Sequence, residues 1–130
     1  MPHVNGFHHV SLSVSDVDAS LEWYQRVLGF EVLARRGSDG LDKAILADAD
    51  RTVAVVLVGH GPAAVPGDFD ERRTGMDHLG FAVTDRAQLE AWAARLDELG
   101  VARSQIKAGS TGELIAFRDP DNIALEFYTR

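Results

Sequence analysis

The stretch Met76-Asp77-His78-Leu79-Gly80-Phe81-Ala82-Val83-Thr84-Asp85 decides the fold because it repeats an earlier one, His9-Val10-Ser11-Leu12-Ser13-Val14-Ser15-Asp16. Both run a His, alternating apolar residues, a hydroxyl residue and then Asp. Period-2 alternation predicts a strand in each. Val10, Leu12 and Val14 fall on one face, and His9, Ser11 and Ser13 on the other. Leu79, Phe81 and Val83 likewise oppose His78, Gly80 and Ala82. A duplicated strand that twice opens with a His on its small, polar face points to two ligands converging on one cavity.

Outward from these strands the two halves continue alike. The first strand covers residues 7–14. Ser15-Asp16 supplies N-cap chemistry for a helix over 17–28, with Leu21, Tyr24 and Leu28 on one stripe and Val27 beside it. Gly29 ends that helix at the position where a left-handed residue is favoured. Strands follow over 30–34, 41–47 and 52–58, separated by turns at 35–40 and 48–51. In the second half, Thr84-Asp85 caps a helix, with Gln88 placed for a capping box. Leu89, Trp92, Ala93, Leu96 and Leu99 form its apolar face, and Gly100 closes it. Strands are expected over 101–106, 113–117 and 123–128, with a turn at 107–112. The Asp119-Pro120-Asp121-Asn122 turn matches Asp48-Ala49-Asp50-Arg51. Residues 59–75, rich in Gly and Pro, read as the linker between module one (about 7–58) and module two (76–128).

Each half is therefore β-α-β-β-β, and internal duplication is the strongest architectural signal. One helix cannot cover both faces of four strands. The expected fold is α+β: a single domain spanning 1–130, in which two tandem βαβββ modules form a curved eight-stranded mixed sheet around a cavity, helices outside.

Composition narrows the function. With 130 residues and 45% hydrophobic content, the chain can bury a core. No apolar run is long enough to span a membrane. Met1-Pro2-His3-Val4-Asn5 lacks the basic start and apolar run of a secretory signal. Cys is absent, which suits a reducing compartment, so a cytoplasmic location is expected. Net charge is -7 without a basic cluster, which disfavours nucleic acid as a partner.

Glu126 carries the most informative side chain in the last strand. Ile123, Leu125 and Phe127 alternate to the core, while Ala124, Glu126 and Tyr128 take the other face. A carboxylate among apolar neighbours is costly unless paired, protonated or bound to a metal. Its first-half equivalent falls near Val55, so the fold does not demand an acid there. His9, His78 and Glu126 thus form a 2-His-1-carboxylate set suited to Fe(II), Mn, Co, Ni or Zn, with positions left open for substrate. The competing reading has both imidazoles bonded to backbone and Glu126 paired with an arginine.

These residues resemble the vicinal oxygen chelate superfamily, which includes glyoxalase I, fosfomycin-resistance enzymes, extradiol dioxygenases, methylmalonyl-CoA epimerase and bleomycin-binding proteins. The resemblance runs through 9–16, Trp23-Tyr24-Gln25-Arg26-Val27-Leu28-Gly29-Phe30, 77–83, and Phe117-Arg118-Asp119-Pro120-Asp121-Asn122-Ile123-Ala124-Leu125-Glu126. It implies metal ligation by His9, His78 and Glu126, and a homodimer. It also implies chemistry in which a substrate chelates the metal through adjacent oxygens and a developing oxyanion is stabilised. Within the superfamily, the strand at 52–58 offers no carboxylate for the fourth ligand of glyoxalase I. The sequence stops at Arg130, so the role of the fosfomycin thiol transferases, which carry a basic tail beyond the last strand, is not expected, and 109–117 lacks the His and Tyr usual in extradiol dioxygenases. Bleomycin-binding proteins generally lack the ligand set present here.

The expectation is therefore a divalent-metal-dependent enzyme acting on a small oxygenated molecule by lyase or isomerase chemistry. The alternatives are an Fe(II) ring-cleaving dioxygenase and a protein that sequesters an antibiotic or metabolite. Glu126, Tyr128 and Ser11 are the candidate catalytic groups: Tyr128 as a proton or hydrogen-bond donor, Ser11 as a substrate contact. Ser13 shares that face. His60 is a candidate lid residue or general base. His8 is expected on the helix-covered face, His3 near a frayed terminus, Glu31, Arg35 and Arg36 as solvated strand-end charges, and Trp23 and Trp92 in packing or dimer roles.

Overall fold

Strand β1 (Val10–Ser13) leads into helix α1 (Val17–Leu28), and β2 (Glu31–Ser38), β3 (Leu41–Ala47) and β4 (Ala54–Gly59) follow. The order then repeats as β5 (Leu79–Val83), α2 (Arg86–Glu98), β6 (Lys107–Ala108), β7 (Glu113–Arg118) and β8 (Ala124–Thr129). This computed structural model describes residues Met1–Arg130, which divide into two compact units, Met1–Pro66 and Gly67–Arg130. Neither helix is long and apolar enough to cross a membrane.

The two units share one topology. Strand order is β1-β4-β3-β2 in the first and β5-β8-β7-β6 in the second. In each, the outer pair β1–β4 or β5–β8 is parallel and the remaining pairs are antiparallel. The helix supplies the crossover that a parallel pair requires. The eight strands thus stand as two four-stranded mixed sheets, neither closed, one to each βαβββ module of the α+β fold that the duplication predicts.

Capping chemistry sets the helix ends as read from the sequence. Asp16 accepts from the Ala19 N–H and Asp85 from the Gln88 N–H, both at 3.0 Å. Gly29 and Gly100 follow the helices with φ of 71° each, the left-handed conformation only glycine adopts without strain. One face of each helix covers its own sheet. In the first unit Tyr24 and Val27 are fully buried against Leu46, Val55 and Leu57. The α1 stripe passes through Ser20 rather than the half-buried Leu21. In the second, Leu89 and Leu96 pack over Ile115 and Leu125, and Trp92 stacks on Phe127 at 4.3 Å between ring centroids. Trp92 is therefore a packing residue, and Trp23 lies edge-on to Tyr24.

Several boundaries differ from the sequence reading. Strand β2 runs on through Arg35 and Arg36 to Ser38, and the turn narrows to Asp39 and Gly40. Cross-strand pairing with β3 extends it, and Arg35 anchors it by bonding Asp42 on β3 and Asp18 on α1. Glu31 likewise pairs with Arg51, so neither charge is merely solvated. Residues 101–106 form no regular strand. Arg103 makes an isolated bridge to Phe117, and β6 begins only at Lys107. Arg103 is held instead by both oxygens of Asp97 on α2, which draws the segment toward the helix.

The linker is ordered by its own contacts. A 3₁₀ turn occupies Gly61–Ala63. Further on, Phe69 N–H donates to Asp121 O at 2.9 Å, Asn122 Nδ2 donates to Phe69 O at 3.1 Å, and Arg118 grips both oxygens of Glu71. The segment after Gly67 is thereby fastened to the β7–β8 turn.

Candidate functional site

In the second unit, β8 is flanked by β5 and β7, and Glu126 lies opposite Gly80 and Ala116. Those small neighbours leave room above the carboxylate on the face away from α2. Leu125 and Phe127, on the alternate positions, are 0% and 3% exposed in the core. Glu126 itself keeps 18% side-chain exposure, so it faces the open side of the sheet without being fully solvated.

His78 precedes β5 and turns toward that carboxylate. Its Nε2 stands 3.4 Å from Glu126 Oε2, and its Nδ1 lies 2.7 Å from Asp77 Oδ1. With the ring proton on Nδ1 donated to Asp77, the Nε2 lone pair is directed at a second acceptor. Two acceptors at that separation repel unless a proton or cation lies between them. Two ligand atoms each about 2.1 Å from one cation stand roughly 3.0–3.4 Å apart for coordination angles of 90–110°. The donor chemistry therefore fits a divalent cation, and Asp77 supplies the carboxylate–histidine contact that orients a ligating imidazole. No three His, Cys, Asp or Glu side chains stand together as a metal-holding group.

The first unit carries the other predicted donors. His9 is exposed, and its Nδ1 lies 2.8 Å from Nδ1 of His8. His8 is exposed too, not helix-covered as alternation predicted, because both residues precede β1 and its pleat. Ser11 is exposed on β1 opposite Val56. Ser13 Oγ lies 2.9 Å from Nε2 of the half-buried His60. The internal symmetry places the counterpart of Glu126 at Val56, one residue beyond the Val55 expected. Val10 pairs with Val55 as Leu79 pairs with Leu125, so Ser11–Val56 corresponds to Gly80–Glu126.

Tyr128 lies on the Glu126 face, and its hydroxyl accepts the Thr111 N–H at 3.1 Å. That backbone donor moves the phenol pKa below its ordinary value. The Tyr128 ring also fills the space beside Gly109, where any Cβ would collide with it, while a Cβ on Gly112 would first strike Thr129.

A cleft of about 420 Å³ lies elsewhere in the second unit, between residues 68–73 and the β7–β8 turn. Its charges neutralise one another: Arg118 with Glu71 and Arg72 with Asp70. The Arg118 and Arg72 guanidiniums hold Glu71 and Asp70 each at a pKa of about 2. The cleft thus reads as the fastening of the linker.

The sequence reading missed Asp77 as a partner of His78 and the Ser13–His60 contact. Asp77 adjoins His78, and neighbours along a strand point apart, but both precede β5 and escape that rule.

Comparison with known proteins agrees with this architecture. The family described as Glyoxalase/Bleomycin resistance protein/Dioxygenase superfamily matches residues 6–127. A catechol-2,3-dioxygenase of Bacillus subtilis is 30% identical over 123 residues, covering 92% of this chain but only 40% of that protein. The chain thus spans less than half the length of that relative. The metallothiol transferase FosB of Shouchella clausii is 28% identical over 97% of this chain and 81% of its own length. The crystal structure of a glyoxylase/bleomycin resistance protein/dioxygenase domain from Frankia sp. EAN1pec superposes with a TM-score of 0.87 at 35% identity, covering 98% of this chain and 93% of that one.

Proposed function

The chain belongs to the Glyoxalase/Bleomycin resistance protein/Dioxygenase superfamily, and from that premise we propose that it is a divalent-metal-dependent enzyme acting on a small oxygenated molecule, of lyase or isomerase type. The observation that carries the proposal is the approach of His78 Nε2 to Glu126 Oε2 with Asp77 behind the imidazole. In this reading His78 and Glu126 hold the ion and His9 completes the set. When bound, the metal supplies Lewis-acid stabilisation of charge developing on a substrate oxygen.

The remaining steps belong to side chains. Asp77 accepts the Nδ1 proton of His78 and fixes the ring so that Nε2 is the donor atom. Ser11, exposed on the face of β1, donates its hydroxyl proton to a substrate oxygen. Tyr128 accepts from Thr111 and keeps its own O–H to donate, and the lowered phenol pKa makes that proton easier to give. Glu126, at the open face of β8, serves as the base as well as a ligand on this reading. The protein works as a homodimer in a reducing, cytoplasmic setting on this reading.

Native mass spectrometry with metal analysis tests it. The wild type should carry or take up one divalent ion per chain, and H78A and E126Q should each lose it while staying folded. A wild type that takes up no ion at neutral pH, or variants that retain it, would refute the metal enzyme and favour a sequestering protein.

A second reading, Fe(II) ring cleavage, is favoured by the 30% identity to a catechol-2,3-dioxygenase. Anaerobic loading with Fe(II), followed by oxygen-uptake measurements with catechols, decides it. No uptake across mono- and disubstituted catechols would remove this reading.

A further inference from the structure

In a chain of net charge -7, arginines are drawn into ion pairs: Arg35, Arg51, Arg86, Arg103 and Arg118 each hold a carboxylate. Lys43 and Arg36 hold none, and pairing places them side by side. In the first sheet Ser13 lies opposite Val58, Val58 opposite Lys43, and Lys43 opposite Arg36. These positions share one face, so Ser13, Lys43 and Arg36 form a row across the sheet with strands about 4.8 Å apart. Asp42, next to Lys43, does not neutralise it: it sits on the helix side, where Arg35 grips both its oxygens.

His60 completes the row. Its Nε2 contacts Ser13 Oγ at 2.9 Å. Two glycines fix it there. A Cβ on Gly59 would lie 2.8 Å from Val17 Cγ2, and Gly61 has a φ of +55° with its Cβ position 3.0 Å from Gly40 O. The imidazole is thus set by backbone that other residues cannot reproduce, rather than hanging from a free loop.

We propose that Ser13, His60, Lys43 and Arg36 form an oxyanion subsite of the first unit, which binds the carboxylate or phosphate end of the substrate. Two unpaired cations on neighbouring strands share this face with a hydroxyl and an imidazole in contact, and no acid stands in the row. The subsite lies wholly within the first unit and does not rest on the metal reading above.

The test is an NMR titration of the full chain, without added metal, with acetate and separately with methyl phosphate, chloride holding ionic strength constant. The expected result is saturable shifts at Ser13, Lys43, Val58 and His60. The double variant R36Q/K43Q, whose substitutions are on a solvent-accessible face, should keep its melting temperature and bind roughly tenfold more weakly, as loss of two solvent-accessible charge contacts implies. The tighter of the two anions identifies the substrate's end group. No saturable response, a response spread equally over cations such as Arg72 and Arg73, or unchanged binding in R36Q/K43Q overturns the subsite. H78A should bind methyl phosphate as the wild type does, so failure of the metal reading and failure of the subsite give different results.

Discussion

Asp77 Oδ1 lies 2.7 Å from His78 Nδ1, on the side of the imidazole opposite Glu126. The contact selects the tautomer whose Nε2 can donate to a cation, and removing such a partner typically weakens metal binding ten- to hundredfold. D77A is therefore expected to lower divalent-ion affinity by that factor in a chelator-competition titration. Because Asp77 is exposed, the melting temperature should hardly move. Unchanged affinity would mean that the carboxylate only solvates the ring.

The fold was legible because its signals are local. Capping by Asp16 and Asp85, the closing glycines Gly29 and Gly100, and the alternation in 10–14 and 79–83 each need only a few adjacent residues to be recognised. The errors came where distant partners decide. Arg35 extends β2 because of Asp18 and Asp42, and 101–106 is pulled out of strand geometry by Asp97. His8 and His9 escaped alternation for want of a strand partner before Val10. Of the site, Glu126 was readable as a break in an apolar pattern, and His78 approaches it. The Ser13–His60 contact spans 47 residues of sequence, and no local period announces it.

Acid should reach the second unit through its linker. Glu71, hydrogen-bonded by Arg118, titrates at about 2 against an ordinary 4.5, and Asp70, bonded by Arg72, at about 2 against 3.8. The folded state thus binds these protons less readily than the unfolded chain. Their contribution to stability is complete above the ordinary values and is lost as pH falls from about 4.5 to 2. R118Q should release Glu71 toward its ordinary value. Melting temperature plotted against pH should then fall less steeply across that window than in the wild type. An identical slope would show that the linker contact does not couple to folding.

The matched turns offer a graded comparison. Asp119 is 6% exposed, and its Oδ1 accepts the N–H groups of Asp121 and Ile123, both at 2.9 Å. Asp48 does the same for Val53 N–H at 2.8 Å, and takes the Thr52 hydroxyl as well, but is less buried. Removing a carboxylate strands buried donors, at about 1–3 kcal/mol for each group left without a partner. D119A should therefore cost about 2–4 kcal/mol in urea unfolding, and D48A about half as much, since water can replace more of its contacts. Equal costs would show that burial does not set the difference.

Gly59 sits where a side chain has no room. A Cβ there would meet Val17 Cγ2 at 2.8 Å, and Val17 is buried in the first turn of α1, its β-branched side chain restricted to few rotamers. G59A should destabilise by about 1–3 kcal/mol, the usual cost of overpacking. If the clash with that methyl is the cause, the V17A/G59A double variant should be more stable than the sum of the two single changes predicts, because the second removes the atom the first strikes. A double-mutant cycle by denaturant unfolding measures the coupling. Strict additivity would place the cost of G59A in the backbone of β4 rather than in its contact with α1.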